Sequence, residues 1–473
     1  MIKDNPEQAA NLLVALTKTV NILSVKVDEL TAQVEDFKRQ LSKNSSNSSK
    51  PPSSDGYKKP SPKSLRKKSG KKSGGQKGHK GTTLSKVSCP DKVIQHSLGK
   101  CSCGLSLEKG TVLSEERRQV FDIPTPRIEV TEHCVQKVKC SCGKIHTGVF
   151  PEGVNSPVQY GSGVRAMAVY LNQYQHIPYE RSCEALRDLF NCSISQGTLR
   201  NILAECYTQL EGAEEAIKKH ISLSDVAHFD ETGLRIAGKR SWVHSASTET
   251  ATHYHAHTKR GAEASTSAGI LPNFKGTAVH DGWKPYMSFE CRHGLCNSHH
   301  LRELIFIEEQ FEQKWAKKMA DLLRKINVSV RETKVNGNAA LKPEQLEKYK
   351  AQYAQLISEA YTANPWEKPT GPPRRGRIKK TKPINLIERL DKQRELVLLF
   401  MNDFTVPFSN NLAEQDIRMV KLRQKISGCF RDFAGAETFC RIRSYISTAR
   451  KKDIGAMESL KSSFSGNPII IET

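Results

Sequence analysis

The chain has 473 residues, 37% of them hydrophobic, and carries 73 Lys and Arg against 50 Asp and Glu, a formal charge of +23. At roughly 100–200 residues per domain the length predicts about three or four units rather than one compact core. The apolar fraction excludes a wholly disordered chain, and the basic excess points to a polyanionic partner, nucleic acid or an anionic membrane surface.

No apolar run approaches the ~18–20 residues that span a bilayer. Lys18, Lys26 and Asp28 interrupt the first periodic stretch, which argues against a signal peptide and for no membrane association. The 13 Cys, an odd number, read as reduced thiols of a cytoplasmic protein, with tight pairs as metal ligands.

Residues 1–42 hold a heptad. Leu13, Val20, Val27, Val34 and Leu41 form one row, and Leu16, Leu23, Leu30 and Phe37 the other. Val in one row and Leu in the next predicts a parallel two-stranded coiled coil, hence a homodimer or higher oligomer. The alternative is one amphipathic helix packed on its own protein. Residues 43–86 are a Ser-, Asn- and Pro-rich linker that turns strongly basic, without an acid over 58–80. It cannot bury enough apolar surface to order itself. Lys67, Lys68, Lys71 and Lys72 are its expected DNA contacts.

Residues 87–150 contain Cys101-Ser-Cys103-Gly104 and Cys140-Ser-Cys142-Gly143. The stretches VFDIPTPRIEV and HCVQKVK between them alternate like strands. Two knuckles on hairpin ends predict a zinc ribbon with four thiolates around one Zn²⁺, His96 and His133 being possible substitutes. Residues 151–220 read as helical. Tyr179 to Phe190 is amphipathic, Asn191-Cys192-Ser193 breaks it, and Ser195 caps a second helix that carries Arg200, a candidate DNA contact. From 221, VAHFDETGLRIAG, RSWVHSAST and THYHAHT read as successive strands. A helix at 261–270 and the strand GTAVHDGWKPY follow. Helical character runs over 305–360, 384–402 and 411–450, with a basic Pro/Gly-rich link at 368–382.

Three acids stand out by setting. Asp230 ends the strand VAHF, Asp281 ends TAVH, and Glu414 lies at a helix start after Pro407 and Asn410. Such a cluster repels itself, and two Mg²⁺ ions (or Mn²⁺) about 3.5–4 Å apart would resolve the repulsion and serve phosphodiester chemistry. The alternative is that each acid is an ordinary cap or turn residue.

In order along the chain, GGQKGHKG, the two knuckles, IPYERSCEALRDLF, ISQGTLRNI, HFDETG, AVHDGW, CNSHHLREL, VPFSNNLAEQDIR and GCFRDFAGAE resemble the transposases of the insertion sequence sixty-six type, of the DDE class. The knuckles carry Cys-Ser-Cys where that family has Cys-x-x-Cys. The resemblance implies a ribonuclease H-like fold with Asp230, Asp281 and Glu414 as its metal-holding acids, Asp416 being the competitor for the third role. It also implies a helical insertion at 305–395 between catalytic parts at 221–304 and 396–473, and small accessory proteins of the same element. Asn410 and Asn411 would orient the last helix or contact phosphate, and Arg418, Lys421 and Arg423 would form a basic DNA-facing surface. Cys296, His299 and His300 resemble a metal site but are more often structural, His300 or Arg302 could lie near the acids, and Trp283 is expected to pack.

The expected fold is thus multidomain α+β. It comprises a coiled-coil helix, a zinc-ribbon-like β unit, a helix-turn-helix-like segment and a ribonuclease H-like α/β catalytic domain with a helical insertion. The expected function is a DNA transposase that binds the double-stranded ends of its element, hydrolyses a phosphodiester and joins the freed 3′-hydroxyl to target DNA. A catalytically silent zinc-containing DNA-binding regulator and a ribonuclease H-like nuclease are the alternatives.

Overall fold

The structure is a computed structural model and describes residues 6–44, 47–48, 78, 84–96, 99–108, 111–366 and 380–469. Lys67, Lys68, Lys71 and Lys72, most of GGQKGHKG and most of the basic link at 368–382 lie outside the described residues. The chain is mixed α+β, with a long N-terminal helix and one mixed sheet.

Helix α1 (Pro6–Leu41) has 36 residues, a length of about 54 Å at 1.5 Å per residue. Both heptad rows face outward: every member from Leu13 to Leu41 is at least half exposed. Its C-terminal end meets the body of the protein, where Arg39 stacks over Phe311 at 4.8 Å and Asn47 donates to Glu309 Oε2 at 3.3 Å. By length and composition alone, Ala10–Leu41 is also long and apolar enough to cross a membrane. This corrects the expectation that no stretch approaches that length. Isolated Lys18 and Lys26 break the apolar run but leave the stretch apolar on average.

Residues 84–160 contribute two short antiparallel strands, β1 (Lys137–Lys139) and β2 (Ile145–Thr147). VFDIPTPRIEV, expected as strand, is irregular, and Pro124 and Pro126 remove two ladder donors within it. Helices α2 (Ser162–Val169), α3 (Tyr179–Phe190), α4 (Gln196–Gln209) and α5 (Glu211–Ser222) follow. α3 has the expected bounds. Asn191 ends it in left-handed backbone at φ 52°, and Ser195 Oγ caps α4 by accepting from Thr198 N at 3.0 Å.

The sheet is built from β3 (Val226–Ile236), β4 (Lys239–Ser247), β5 (Thr252–His257), then α6 (Ala262–Ser267), β6 (Thr277–His280) and β7 (Arg292–Leu295). Its order is β5-β4-β3-β6-β7, with β3 to β5 an antiparallel meander and β6 and β7 parallel to β3. β7 carries no strand signal in its sequence, RHGL. A Cβ on Gly294 would stand 3.0 Å from Val406 Cγ1, so close packing sets that residue.

Helices α7 (Asn297–Phe311), α8 (Lys314–Val335), α9 (Pro343–Ala363), α10 (Lys382–Lys392), α11 (Arg394–Val397) and α12 (Leu399–Asn402) share one core. α13 (Asn411–Ser427), α14 (Phe433–Lys451) and α15 (Ala456–Phe464) end the chain. The second half of α14 and α15 pack with α2 to α4, so the helical segment before the sheet and the C-terminal helices form one core.

Strand alternation divides β3 between two faces. Ala227 and Phe229 join Ile217, Ile221 and Phe274 on one side. Leu234 and Ile236 join Ile417, Val420 and Phe439 of α13 and α14 on the other.

Candidate active site

β3 does not stop at VAHF; it runs on to Ile236, so Asp230 sits mid-strand rather than at a strand end. Its parity places it with His228, on the α13 side of the sheet. The parallel register His228↔Val279, carried two residues further, brings Asp281 alongside it. Asp281 follows the last residue of β6, and its Oδ1 accepts from Trp283 N at 2.8 Å. The turn uses Gly282 at φ +86°.

Burial pushes the Asp230 carboxyl well above the ordinary range, and the neighbouring charges of Glu231, Glu414 and Asp281 push it further. Its one compensating bond here is from Glu231 N to Oδ1, 2.9 Å. Among the described residues no basic side chain pairs with it. The three acids singled out in the sequence are therefore gathered closely enough to act on one another.

Glu414, in the first turn of α13, is held from α7. Arg302 Nη2 stands 3.6 Å from its Oε2, while His299 Nδ1 and Cys296 Sγ lie 3.7 and 3.9 Å from Oε1. Burial, with Arg302 adding, holds the His299 pKa below its ordinary value, although Glu414 pulls it up. His300 turns away from this group, bonding Asn297 Oδ1 at 3.1 Å. Burial, helped by Arg389, holds its pKa down at about 3.

Asn410 joins the parts. Its Nδ2 donates to Phe229 O at 2.7 Å, its Oδ1 meets His228 Nδ1 at 2.9 Å, and its backbone N donates to Cys296 Sγ at 3.1 Å. It is 1% exposed and so orients α13 rather than reaching for phosphate. Asp416 belongs elsewhere. Its Oδ2 is held by Lys451 at 2.8 Å, Ser247 Oγ at 2.7 Å and Thr252 Oγ1 at 2.9 Å, which ties α13 to the sheet and α14.

A fourth acid escaped the sequence reading. Glu231 faces the opposite side of β3, and its side chain is 2% exposed. Arg260 binds its Oε1 through Nη2 at 2.6 Å and Nε at 2.9 Å, and the Tyr286 hydroxyl donates to its Oε2. Burial and Asp281 still keep its pKa above the ordinary value. Arg260 also stacks over Trp283 at 4.1 Å and Trp242 at 5.0 Å, so Trp283 packs as expected. Alternation alone would have assigned Glu231 its face; its partners come from loops the sequence does not connect.

The predicted basic contacts separate. Arg200 and Arg418 are exposed, Arg200 lying 3.7 Å from Asp432. Lys421 donates to Gly233 O. Arg423 corrects the expectation of a DNA-facing residue. It is 7% exposed and its guanidinium stacks on Phe430 at 4.8 Å and Phe439 at 6.0 Å.

Both cysteine knuckles form the same turn. Gly104 N donates to Cys101 O and Gly143 N to Cys140 O, each at 2.8 Å, with the glycines at φ +91° and +89°. In each pair the second cysteine lowers the pKa of the first, chiefly through its backbone N–H. The pairs do not converge into the expected four-thiolate centre. Among the described residues, Cys296, His299 and Glu414 form the one group of His, Cys and acid ligand atoms within mutual coordination reach, all within 4.8 Å.

The fold and this site define a mixed α+β protein with partly buried, mutually repelling carboxylates beside the central strand of its sheet. The sequence matches the Transposase IS66 family over residues 157–438, more than half of the chain, and the protein belongs to that family. It is therefore a transposase, an enzyme of DNA cleavage and transfer. Residues 3–85 match a family of unknown function, DUF6444. No curated protein matches the chain. A solved structure, the simian T-cell lymphotropic virus intasome in complex with PP2A regulatory subunit B56 gamma, is similar over 46% of this chain and 78% of that one, at 13% identity and a TM-score of 0.14.

Proposed function

We propose that Asp230, Asp281 and Glu414 are the three acids of a DDE centre that hydrolyses the phosphodiester at the element's ends and joins the freed 3′-hydroxyl to target DNA. The observation that carries this is the state of Asp230: a buried carboxylate pressed by two other acids and by Glu231, with no basic partner among the described residues. A sheet with a three-stranded meander and two strands parallel to its first supports the ribonuclease H-like reading. The donor set is all oxygen at the centre, which fits Mg²⁺ or Mn²⁺. Bound there, such ions would supply charge neutralisation and activation of the attacking oxygen. The chain's own residues do the rest. Asn410 fixes α13 to β3 so that Glu414 faces Asp230, Arg302 orients Glu414, and Arg260 neutralises Glu231.

Double-stranded DNA is the proposed partner, reached by Lys67, Lys68, Lys71, Lys72, Arg200 and Arg418, with accessory proteins of the element as further components. The deciding experiment supplies labelled element-end DNA and a target plasmid with Mg²⁺ or EDTA. Metal-dependent joined product is expected. Nicking without joining would favour a nuclease, and tight binding without cleavage a silent regulator.

The exposed heptad rows of α1 support self-association through that helix. A 1–42 peptide is expected to sediment as a dimer. A monomer at high peptide concentration would remove the coiled coil.

A further inference from the structure

We propose that Cys296, His299 and Glu414 form a binding site for a soft divalent cation, Zn²⁺, that shares Glu414 with the catalytic centre. The inference rests on the reading of Glu414 as the third acid for its consequence, but not for the binding itself.

Three observations carry it. A thiol, an imidazole and a carboxylate present ligand atoms all within 4.8 Å of one another, with Sγ and Nδ1 at 3.9 and 3.7 Å from Oε1. Tetrahedral zinc with Zn–S near 2.3 Å and Zn–N and Zn–O near 2.0–2.2 Å has edges of roughly 3.3–3.6 Å, so the two edges to Oε1 close with a few tenths of an ångström and the edge from Sγ to Nδ1 with at most about 1.2 Å, within reach of side-chain rotation. Next, His299 Nδ1 is buried without a hydrogen-bond partner, an orphan pointed at the other two atoms. Finally, the thiol already accepts a bond from Asn410 N at 3.1 Å, the outer-shell support that a coordinating sulfur takes. Three protein ligands leave the fourth position for water or for a DNA oxygen.

The donor set selects the metal. Thiolate and imidazole favour Zn²⁺ over Mg²⁺, whereas Asp230 and Asp281 offer only oxygen. On binding, Cys296 loses its proton to solvent and its sulfur takes up the ion. Glu414 is then drawn toward α7 and away from Asp230. Zinc at this site therefore opposes the Mg²⁺-dependent reaction.

The test titrates Co²⁺ into the full-length chain with Cys101, Cys103, Cys140 and Cys142 replaced by Ser, without DNA. The expected result is a sulfur-to-cobalt absorption band with tetrahedral d–d bands, lost in Cys296→Ser and in His299→Gln. In Glu414→Gln the affinity is expected to fall by at least about tenfold. Melting curves in EDTA show whether each variant folds; if Cys296→Ser does not, His299→Gln decides. An unchanged band in Cys296→Ser, or undiminished affinity in Glu414→Gln, overturns the site. Zn²⁺ that binds yet leaves Mg²⁺-dependent strand transfer untouched overturns the shared-ligand consequence. A chain inactive in strand transfer still gives the cobalt result, so failure of the transposition chemistry and failure of the site are read separately.

Discussion

Asp230→Asn is expected to lower strand transfer by about 10³-fold or more while raising the melting temperature at neutral pH. The two effects have one cause. Burial and three like charges lift the Asp230 pKa well above its ordinary 3.8. In the absence of metal, the folded state therefore binds that proton more tightly than the unfolded chain does. Stability from this group is complete below about pH 4 and is lost as pH rises through the folded value. Glu231, also raised, acts in the same direction. The Asn side chain carries no charge and escapes the penalty; each tenfold change in proton affinity removed is worth about 1.4 kcal/mol. Thermal melts in EDTA across the acid and neutral range should show the variant's advantage growing with pH. Adding Mg²⁺ should raise the melting temperature of the native chain and leave Asp230→Asn nearly unmoved. A variant no more stable than the native chain at neutral pH, or one that still transfers strands, would remove Asp230 from the centre.

The trade also explains why the acids were legible while their surroundings were not. HFDETG and AVHDG each place an acid after an apolar run, and period-2 alternation with one parallel pairing brings them together. Local pattern suffices for that. It also sufficed for α3, its Asn191 stop and the Ser195 cap, where the signals lie within four residues of the structure they specify. Glu231 was missed because its meaning lies in partners 29 and 55 residues away, Arg260 and Tyr286. β7 was missed because four residues with a glycine carry no period; its neighbours on β6 and Val406 define it.

The knuckles mark the opposite limit. Cys-Ser-Cys-Gly specifies its own turn twice, but nothing in the sequence fixes whether two turns meet. Arg423 shows the same limit on α13. Its charge suggests solvent or phosphate, yet at its helical position it faces Phe430 and Phe439. A cation over aromatic faces is a packing element, and charge alone cannot assign a side of a helix.

Asn410→Ala is expected to cost roughly 2–4 kcal/mol and, in protein still folded, to lower strand transfer by about 10²-fold. Asn410 bridges chain positions 181 and 182 residues apart through Phe229 O and His228 Nδ1. Truncation leaves a buried carbonyl and a buried ring nitrogen without their partner, each costing about 1–3 kcal/mol. It also frees the entry to α13, four residues before Glu414. A displacement near 1 Å of a catalytic group is enough for such a loss. Leu323→Ala separates stability from position. Leu323 is wholly buried in the core of α7 to α12, and its truncation should cost a comparable 2–5 kcal/mol. If Asn410 acts by holding Glu414 opposite Asp230, Leu323→Ala retains strand transfer well below its melting temperature and Asn410→Ala does not. Asn410→Asp keeps an acceptor for His228 but gives up the donor to Phe229 O, so it should fall between native and Ala in both stability and transfer. Equal activity loss in Asn410→Ala and Leu323→Ala at matched folded fraction would reduce Asn410 to ordinary core support. Loss confined to Asn410→Ala would mean that the third acid is useful only where the asparagine before its helix puts it.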